Sequence, residues 1–160
     1  MQAPSTRAFR DALGCFATGV TIAATLARDG RPEGLTINSF ASVSLDPPLV
    51  LFSLDRKARC LDSFQLAHGF AISVLRDDQV ELSRAFAARG GPDWNAVAWS
   101  RWGQGSPVLR DALAALDCQV HARYDGGDHV ILVGKVIKLQ HGEGQPLLFY
   151  RGRYRRVDGT

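Results

Sequence analysis

Between Thr36 and Ser44 the chain places five hydroxyl or amide side chains, Thr36, Asn38, Ser39, Ser42 and Ser44, in a run that otherwise reads as a strand: GLTINSFASVSLDPPLV, Gly34 to Val50. Side chains alternate between the two faces of a strand. A regular strand would therefore put Thr36, Asn38, Ser42 and Ser44 on one face and Leu35, Ile37, Val43 and Leu45 on the other, with Ser39 and Phe40 inverting the pattern. Such a polar row has two readings. It is the solvated face of a half-buried strand, or it is a set of donors and acceptors for a flat, heteroatom-rich ligand, because buried polar groups need partners. The residues alone leave both open.

Two more stretches carry usable chemistry. SLDRKAR, Ser53 to Arg59, reads as a strand end leading into a helix, where side-chain cations and free backbone N–H groups suit a phosphate. Lys57 and Arg59 are the first candidates there and Arg56 a further one; the other reading is an ordinary basic loop. GDH, Gly127 to His129, opens a strand, and His129 is either a turn residue or a group that orients a ligand. Tyr154 and Phe86 are aromatics that either wall a planar slot or pack a core or an interface. His68, His121 and His141 stand in unrelated contexts, with no acidic or cysteine residues at ligand spacing, so no metal site is expected. No Gly-x-Gly-x-x-Gly follows a strand and no P-loop occurs, which argues against a Rossmann-type dinucleotide site.

The elements that would position these residues sort by period. A helix is predicted from Ser5, as its N-cap, through Ala17, with Phe9, Leu13 and Phe16 on one face and Gly19 as its stop. VTIAATLA follows as a strand, and the Asp-Gly turn in RDGRPE makes a hairpin with the polar stretch. DPP, Asp46 to Pro48, interrupts, and LVLFSL resumes. A helix over Ala58 to Ala67, the strand FAISVL and a helix from an Asp77 or Asp78 cap to Ala88 come next. Trp94, Trp99 and Trp102 fall among turn formers in a long excursion over a barrel mouth or an interface. ALDCQVHARY, DHVILVGKVIKL and PLLFYRGRYRRV are the last strands. Short turns join most strands and helices do not alternate with them, so the fold expected is mainly β, a closed or split antiparallel barrel with peripheral helices.

Composition narrows the classes further. The 160 residues suffice for one domain over residues 1–160. The net charge of +3 comes from arginines scattered from Arg7 to Arg156, and the one cluster, RGRYRR, reads as a solvated last strand, so nucleic acid is not an expected partner. Cys15, Cys60 and Cys118 fit neither a disulfide framework nor a zinc site. The N-terminus lacks a secretory pattern and no apolar run is long enough to span a membrane; the expected location is the cytoplasm, with no membrane partner.

Four stretches, FRDALGCFATGVTIAAT, GLTINSFASVSLDPPLVLFSLD, GDHVILVGKV and PLLFYRGRY, taken in this order, resemble the short-chain flavin reductase family, the reductase partners of two-component flavin-dependent monooxygenases. The resemblance implies an FMN-binding split barrel, usually a homodimer, that uses NADH or NADPH to reduce FMN or FAD. It implies flavin contacts at Thr36, Asn38, Ser39, Ser42, Val43 and Ser44, and phosphate contacts in the block from Ser53 through Lys57 to Arg59. Many relatives have a hydroxyl where this chain has Cys60. The resemblance also implies that His129 sits beside the nicotinamide as a positioning group; Asp128 would then fix the turn or the imidazole, and Phe86 and Tyr154 stay candidates either for walls of the flavin or nicotinamide slot or for packing. Reduced flavin would pass to a separate monooxygenase. The competing reading is a flavin carrier or sensor without efficient NAD(P)H turnover.

Overall fold

The computed structural model describes residues 3–157. Helix α1 covers Thr6–Leu13, and the Ser5 hydroxyl accepts the Ala8 N–H at its start. It ends earlier than its apolar spacing suggests, because after the Gly14 N–H bonds the Arg10 carbonyl the next N–H, of Cys15, tightens onto Ala12, only three residues back. Nor does its apolar face enter the core: Phe9, Leu13 and Phe16 are 56%, 56% and 78% exposed. Strands β1 (Thr18–Gly19), β2 (Thr21–Leu26) and β3 (Pro32–Ile37) follow, the last two joined by the expected hairpin, with Gly30 at φ 82° in its turn.

The polar stretch is not one strand. β3 stops at Ile37 and β4 runs over Ala41–Leu45, with β5 at Pro48–Asp55 after the Asp46–Pro47 turn. Helix α2, Leu61–Leu66, is shorter than the span Ala58 to Ala67, because the Ala58 N–H turns back onto the Asp55 carbonyl. After β6 (Gly69–Val74), helix α3 covers Val80–Ala87. Its N-cap is Gln79, not Asp77 or Asp78: the Asp77 N–H is held by the Gln145 carbonyl and the Gln79 side chain accepts the Arg76 N–H, which delays the helix. A short turn at Trp94–Ala96 leads to β7 (Trp99–Arg101) and β8 (Pro107–Leu109). The tryptophans are partly buried packing residues, Trp94 and Trp99 on the core beside Phe86 and Trp102 against Ala71, Val108 and Ala115.

The long strands β9 (Ala114–Gly126) and β10 (His129–His141) form a hairpin. PLLFYRGRYRRV is a tight hairpin of β11 (Leu148–Tyr150) and β12 (Arg153–Arg155), not a single strand. Arg151 and Gly152 take φ of 49° and 74°, the two positive values that a two-residue turn of this twist demands.

Seven strands form one antiparallel sheet in the order β3-β2-β6-β9-β10-β5-β4. Its two edges, β3 and β4, are consecutive in the chain and joined only through residues 38–40. Laid flat, six strand spacings would separate them by about 29 Å. The connecting residues reach at most about 14 Å. The sheet must therefore curl until its edges approach, leaving a seam without ladder hydrogen bonds between β3 and β4. That is a split barrel, as expected. β1, β11 and β12 make a small second sheet beside it.

The barrel interior is filled by Phe52, Phe64 and Phe70, all 0% exposed, with Phe52 edge-on to both others at 5.5 and 5.2 Å. Gly134 on β10 is required by this packing, since a Cβ there would lie 2.4 Å from the Phe70 ring.

Asp117 on β9 is also fully buried. One carboxylate oxygen accepts the Gln104 N–H at 2.9 Å and the other has no partner. Burial pushes its carboxyl above the ordinary 3.8, against smaller opposing effects of the Gln104 N–H and the Lys138 charge. A raised folded-state value means that the protonated form is favoured by folding, so this contribution is complete below pH 3.8 and is lost as pH rises through the folded-state value. Asp117→Asn keeps an oxygen for Gln104 and carries no charge. Its thermal midpoint should gain on the wild type's as pH is raised from acid to neutral; a gap that stays constant across that range would show no buried charge to relieve.

Candidate functional site

The end of β3 and the β11–β12 hairpin face each other across a slot of about 200 Å³ lined by Val20, Thr36, Ile37, Asn38, Ala87, Phe149 and Tyr154. Its walls are mainly apolar, with one hydroxyl, one amide and one phenol. The Thr36 hydroxyl donates to the Ser83 carbonyl at 2.5 Å, and the Ser83 and Tyr154 hydroxyls are 2.8 Å apart. The Tyr154 ring meets the Phe149 ring at 5.5 Å edge to face, and the Arg84 guanidinium stands 5.8 Å from its centroid. The structure thus brings together Thr36, Asn38 and Tyr154 of the residues expected from sequence.

Ser39 begins a second arrangement on the other side of the seam. Its hydroxyl accepts the Ser53 N–H at 3.0 Å and donates to the Ser53 carbonyl at 3.1 Å. A side chain here takes over the pairing that β4 would otherwise continue along β5, and Ser39 and Ser53 become neighbours. On the far side of β5, Ser53 opposes Ile131 and Asp55 opposes His129 of β10. Strand spacing and rise put His129 about 12 Å from Ser39. The His129 Nδ1 lies 2.7 Å from an Asp128 oxygen, which leaves Nε2 as the nitrogen available to a ligand. That hydrogen bond, with the imidazole's charge and more weakly that of Lys57, holds the exposed Asp128 carboxyl below its ordinary range.

The basic block does not converge as its spacing suggests. The Lys57 N–H bonds the Asp55 carboxylate at 2.7 Å, and its exposed side chain is close enough to act on Asp128, at the His129 turn. Arg56 is committed to that same turn, donating to the Gly127 carbonyl and pairing with Asp125. Arg59 turns instead toward β3, where it donates to the Gly34 carbonyl and occupies the space over Gly91, at φ 71°. It borders a separate groove of about 650 Å³ with Arg28 and Arg31. Lys57 and Arg59 therefore serve different surfaces.

The shared polar face expected for the opening stretch is also interrupted. A bulge at Val43 sets Ser42 opposite Val50 and Ser44 opposite Leu49, so the two serines leave on opposite faces of β4. Val43 itself is 48% exposed on this edge strand. Phe86 is 1% exposed and edge-on to Trp94 at 5.1 Å; it is a core residue and presents no ring face to a ligand. Ala87 and Phe149 also line the slot, Ser83 stands behind it bonded to Thr36 and Tyr154, and none of the three is singled out from sequence. Alternation in the last strand could have flagged Phe149 beside Tyr154, whereas nothing around Ser83 marks it.

Cys60 and Cys118 are buried, which pushes their thiols to about 11 and about 12, while Cys15 is exposed. Cys60 thus packs against the barrel core instead of standing in for a phosphate donor. A thiol-directed reagent at neutral pH should modify one cysteine per native chain, Cys15, and all three after denaturation; rapid reaction of a second thiol in the native protein would contradict the burial.

Known proteins resemble this chain over most of its length. Residues 13–158 match the model of the flavin reductase like domain. The FMN reductase (NADH) SmoA of Agrobacterium fabrum is 44% identical over 152 residues, covering 95% of this chain and 86% of that protein. HsaB of Rhodococcus jostii, the reductase subunit of a flavin-dependent monooxygenase, is 39% identical over 153 residues, covering 95% and 78%. Among solved structures, the NADH:FAD oxidoreductase SgcE6 of Streptomyces globisporus, in complex with NAD and FAD fragments, superposes with a TM-score of 0.91 at 36% identity, over 99% of this chain and 96% of that one. A split barrel with its polar residues gathered at the seam, matched along nearly its whole length, places this chain in the flavin reductase-like family.

Proposed function

We propose that this chain is an NAD(P)H-dependent flavin reductase, taking FMN or FAD as hydride acceptor and supplying reduced flavin to a separate monooxygenase. The observation that carries the reading is the seam itself. Thr36 and Asn38 border an apolar slot, the next residue, Ser39, clasps β5, and His129 stands two strands away with one ring nitrogen free.

These residues fit a planar, heteroatom-edged ring. The slot is apolar on its walls and polar at Thr36 and Asn38, and Thr18, opposite Phe149 in the β1–β11 pair, has a buried hydroxyl oxygen without a hydrogen-bond partner. When bound, flavin supplies the hydride acceptor. The chain's own part is to hold the ring edge at Thr36, Asn38 and the 39–44 segment, to meet phosphate with Lys57 or Arg59, and to orient the nicotinamide with His129. SmoA and SgcE6, as NADH-dependent enzymes, favour NADH as the donor.

At about 200 Å³ the slot is smaller than the roughly 300–1,000 Å³ usual for such ligands, so part of the wall must come from elsewhere. A second copy of the chain is the proposed source. Phe9, Leu13 and Phe16 on and after α1, with Val43 and Leu45 on the free β4 edge, are apolar surface that a homodimer would cover. HsaB, as a reductase subunit, favours an oxygenase partner. The reading treats residues 1–160 as one domain working in the cytoplasm; among the described residues no helix is long and apolar enough to cross a membrane.

Steady-state NADH consumption in air tests the proposal. The rate should depend on added FMN or FAD and saturate with each; a rate unaffected by flavin would leave a flavin-binding barrel without reductase activity.

A further inference from the structure

Ser83 lies inside α3, is 0% exposed, and does not line the slot. Both of its oxygens nevertheless reach slot residues. Its carbonyl accepts the Thr36 hydroxyl proton at 2.5 Å, and its hydroxyl is 2.8 Å from that of Tyr154, 71 positions away in the chain. A helical serine usually satisfies its hydroxyl on a carbonyl one turn back. Ser83 instead spends it on β12. Thr36 and Tyr154 belong to different sheets and share no ladder hydrogen bond, so Ser83 is the link between them.

The link has a chemical consequence on each side. With its proton given to the Ser83 carbonyl, the Thr36 oxygen has only lone pairs left for the slot, and serves there as an acceptor. With its hydroxyl anchored and its ring set edge-on to Phe149, Tyr154 is fixed as one wall. Slot width and polarity then depend on a residue that touches no ligand.

We propose that Ser83 is the positioning residue of the slot, holding Thr36 as a hydrogen-bond acceptor and Tyr154 as a fixed wall for a planar ring with an N–H on its edge. This rests on the reading of the slot as part of the flavin site.

Ser83→Ala and Tyr154→Phe each remove one partner of the same hydrogen bond, and the double variant removes both. The probes are FMN and FAD alone, followed by quenching of their fluorescence, with kcat and KM for NADH measured separately. Each single variant should bind flavin about 5- to 10-fold more weakly, the weight of one buried hydrogen bond. At saturating flavin the kcat of Ser83→Ala should stay within about twofold, and the double variant should bind flavin no more weakly than the worse single one. Unchanged flavin affinity in variants that merely melt earlier would overturn the proposal and leave Ser83 a packing clip. Losses that multiply in the double variant would overturn it too. If Ser83→Ala does not fold, Tyr154→Phe decides on the same readout. Wild-type protein that binds flavin without consuming NADH would remove the reductase reading and leave this affinity test intact, whereas wild-type protein that binds no flavin removes both.

Discussion

Replacing His129 by alanine should cut kcat/KM for NADH by about 100-fold while leaving the dissociation constant of FMN or FAD within about twofold. The asymmetry follows from placement. His129 opposes Asp55 at the start of β10, about 12 Å from the Ser39 clasp and outside the slot bordered by Thr36 and Asn38. Its imidazole is held at Nδ1 by Asp128, so the ring is oriented before any ligand arrives and Nε2 is the atom left to meet it. Hydride transfer is sensitive to the alignment of two rings, and loss of one orienting contact costs rate far more than it costs flavin binding. Asp128→Asn should show a milder loss of the same kind, because a neutral amide still reaches Nδ1 but holds the ring by a weaker hydrogen bond than the carboxylate. Equal NADH kinetics in His129→Ala and wild type would remove His129 from the site. A parallel fall in flavin affinity would move it into the flavin pocket.

The largest stability effect is expected at Phe52. Its ring is 0% exposed and packs edge-on against both Phe64 and Phe70, the centre on which the curled sheet closes. Phe52→Ala should cost about 3–5 kcal/mol, through lost burial and the cavity left between two rings that cannot both move in. That is a large fraction of the roughly 5–15 kcal/mol that keeps a domain folded. The denaturant midpoint, read with the slope unchanged, measures it. A loss below about 1 kcal/mol would mean that the barrel repacks, contrary to the tight contact of Phe70 with Gly134.

How much of this was legible in the letters differs between the fold and the site. Strands β2, β5, β6, β9 and β10 announced themselves by β-branched and apolar content between turn residues, because they fill the barrel and their composition is set by burial. Elements governed by a single local bond were misjudged at their ends. Gly14 closes α1 before Ala17, and Gln79 replaces Asp77 at the start of α3 because Asp77 is taken by Gln145. The hairpin inside RGRYRR was hidden because Arg151, not a glycine or asparagine, takes the first positive φ.

At the site, spacing revealed residue types but not directions. Thr36, Asn38 and Tyr154 do share a slot, and Ser39 meets Ser53. A break between strands at residues 38–40, marked in the letters only by the inversion at Ser39 and Phe40, and one extra residue at Val43, which leaves no mark, change which way Ser42 and Ser44 face. Phe86 lies three residues after Ser83 and four after Leu82, on the helical face that α3 buries. Ser83 gains its place only through partners distant in sequence, Thr36 and Tyr154, which no local window contains.

Hydride transfer to flavin is tested most directly by the visible flavin band after anaerobic mixing of the protein with FMN or FAD and a reduced nicotinamide nucleotide. A flavin reductase should bleach the band only when the protein is present, faster with NADH than with NADPH, and about 100-fold more slowly as His129→Ala. Flavin that binds at the seam but keeps its band with either nucleotide would contradict the reductase function, and the barrel would then be a carrier or sensor of flavin.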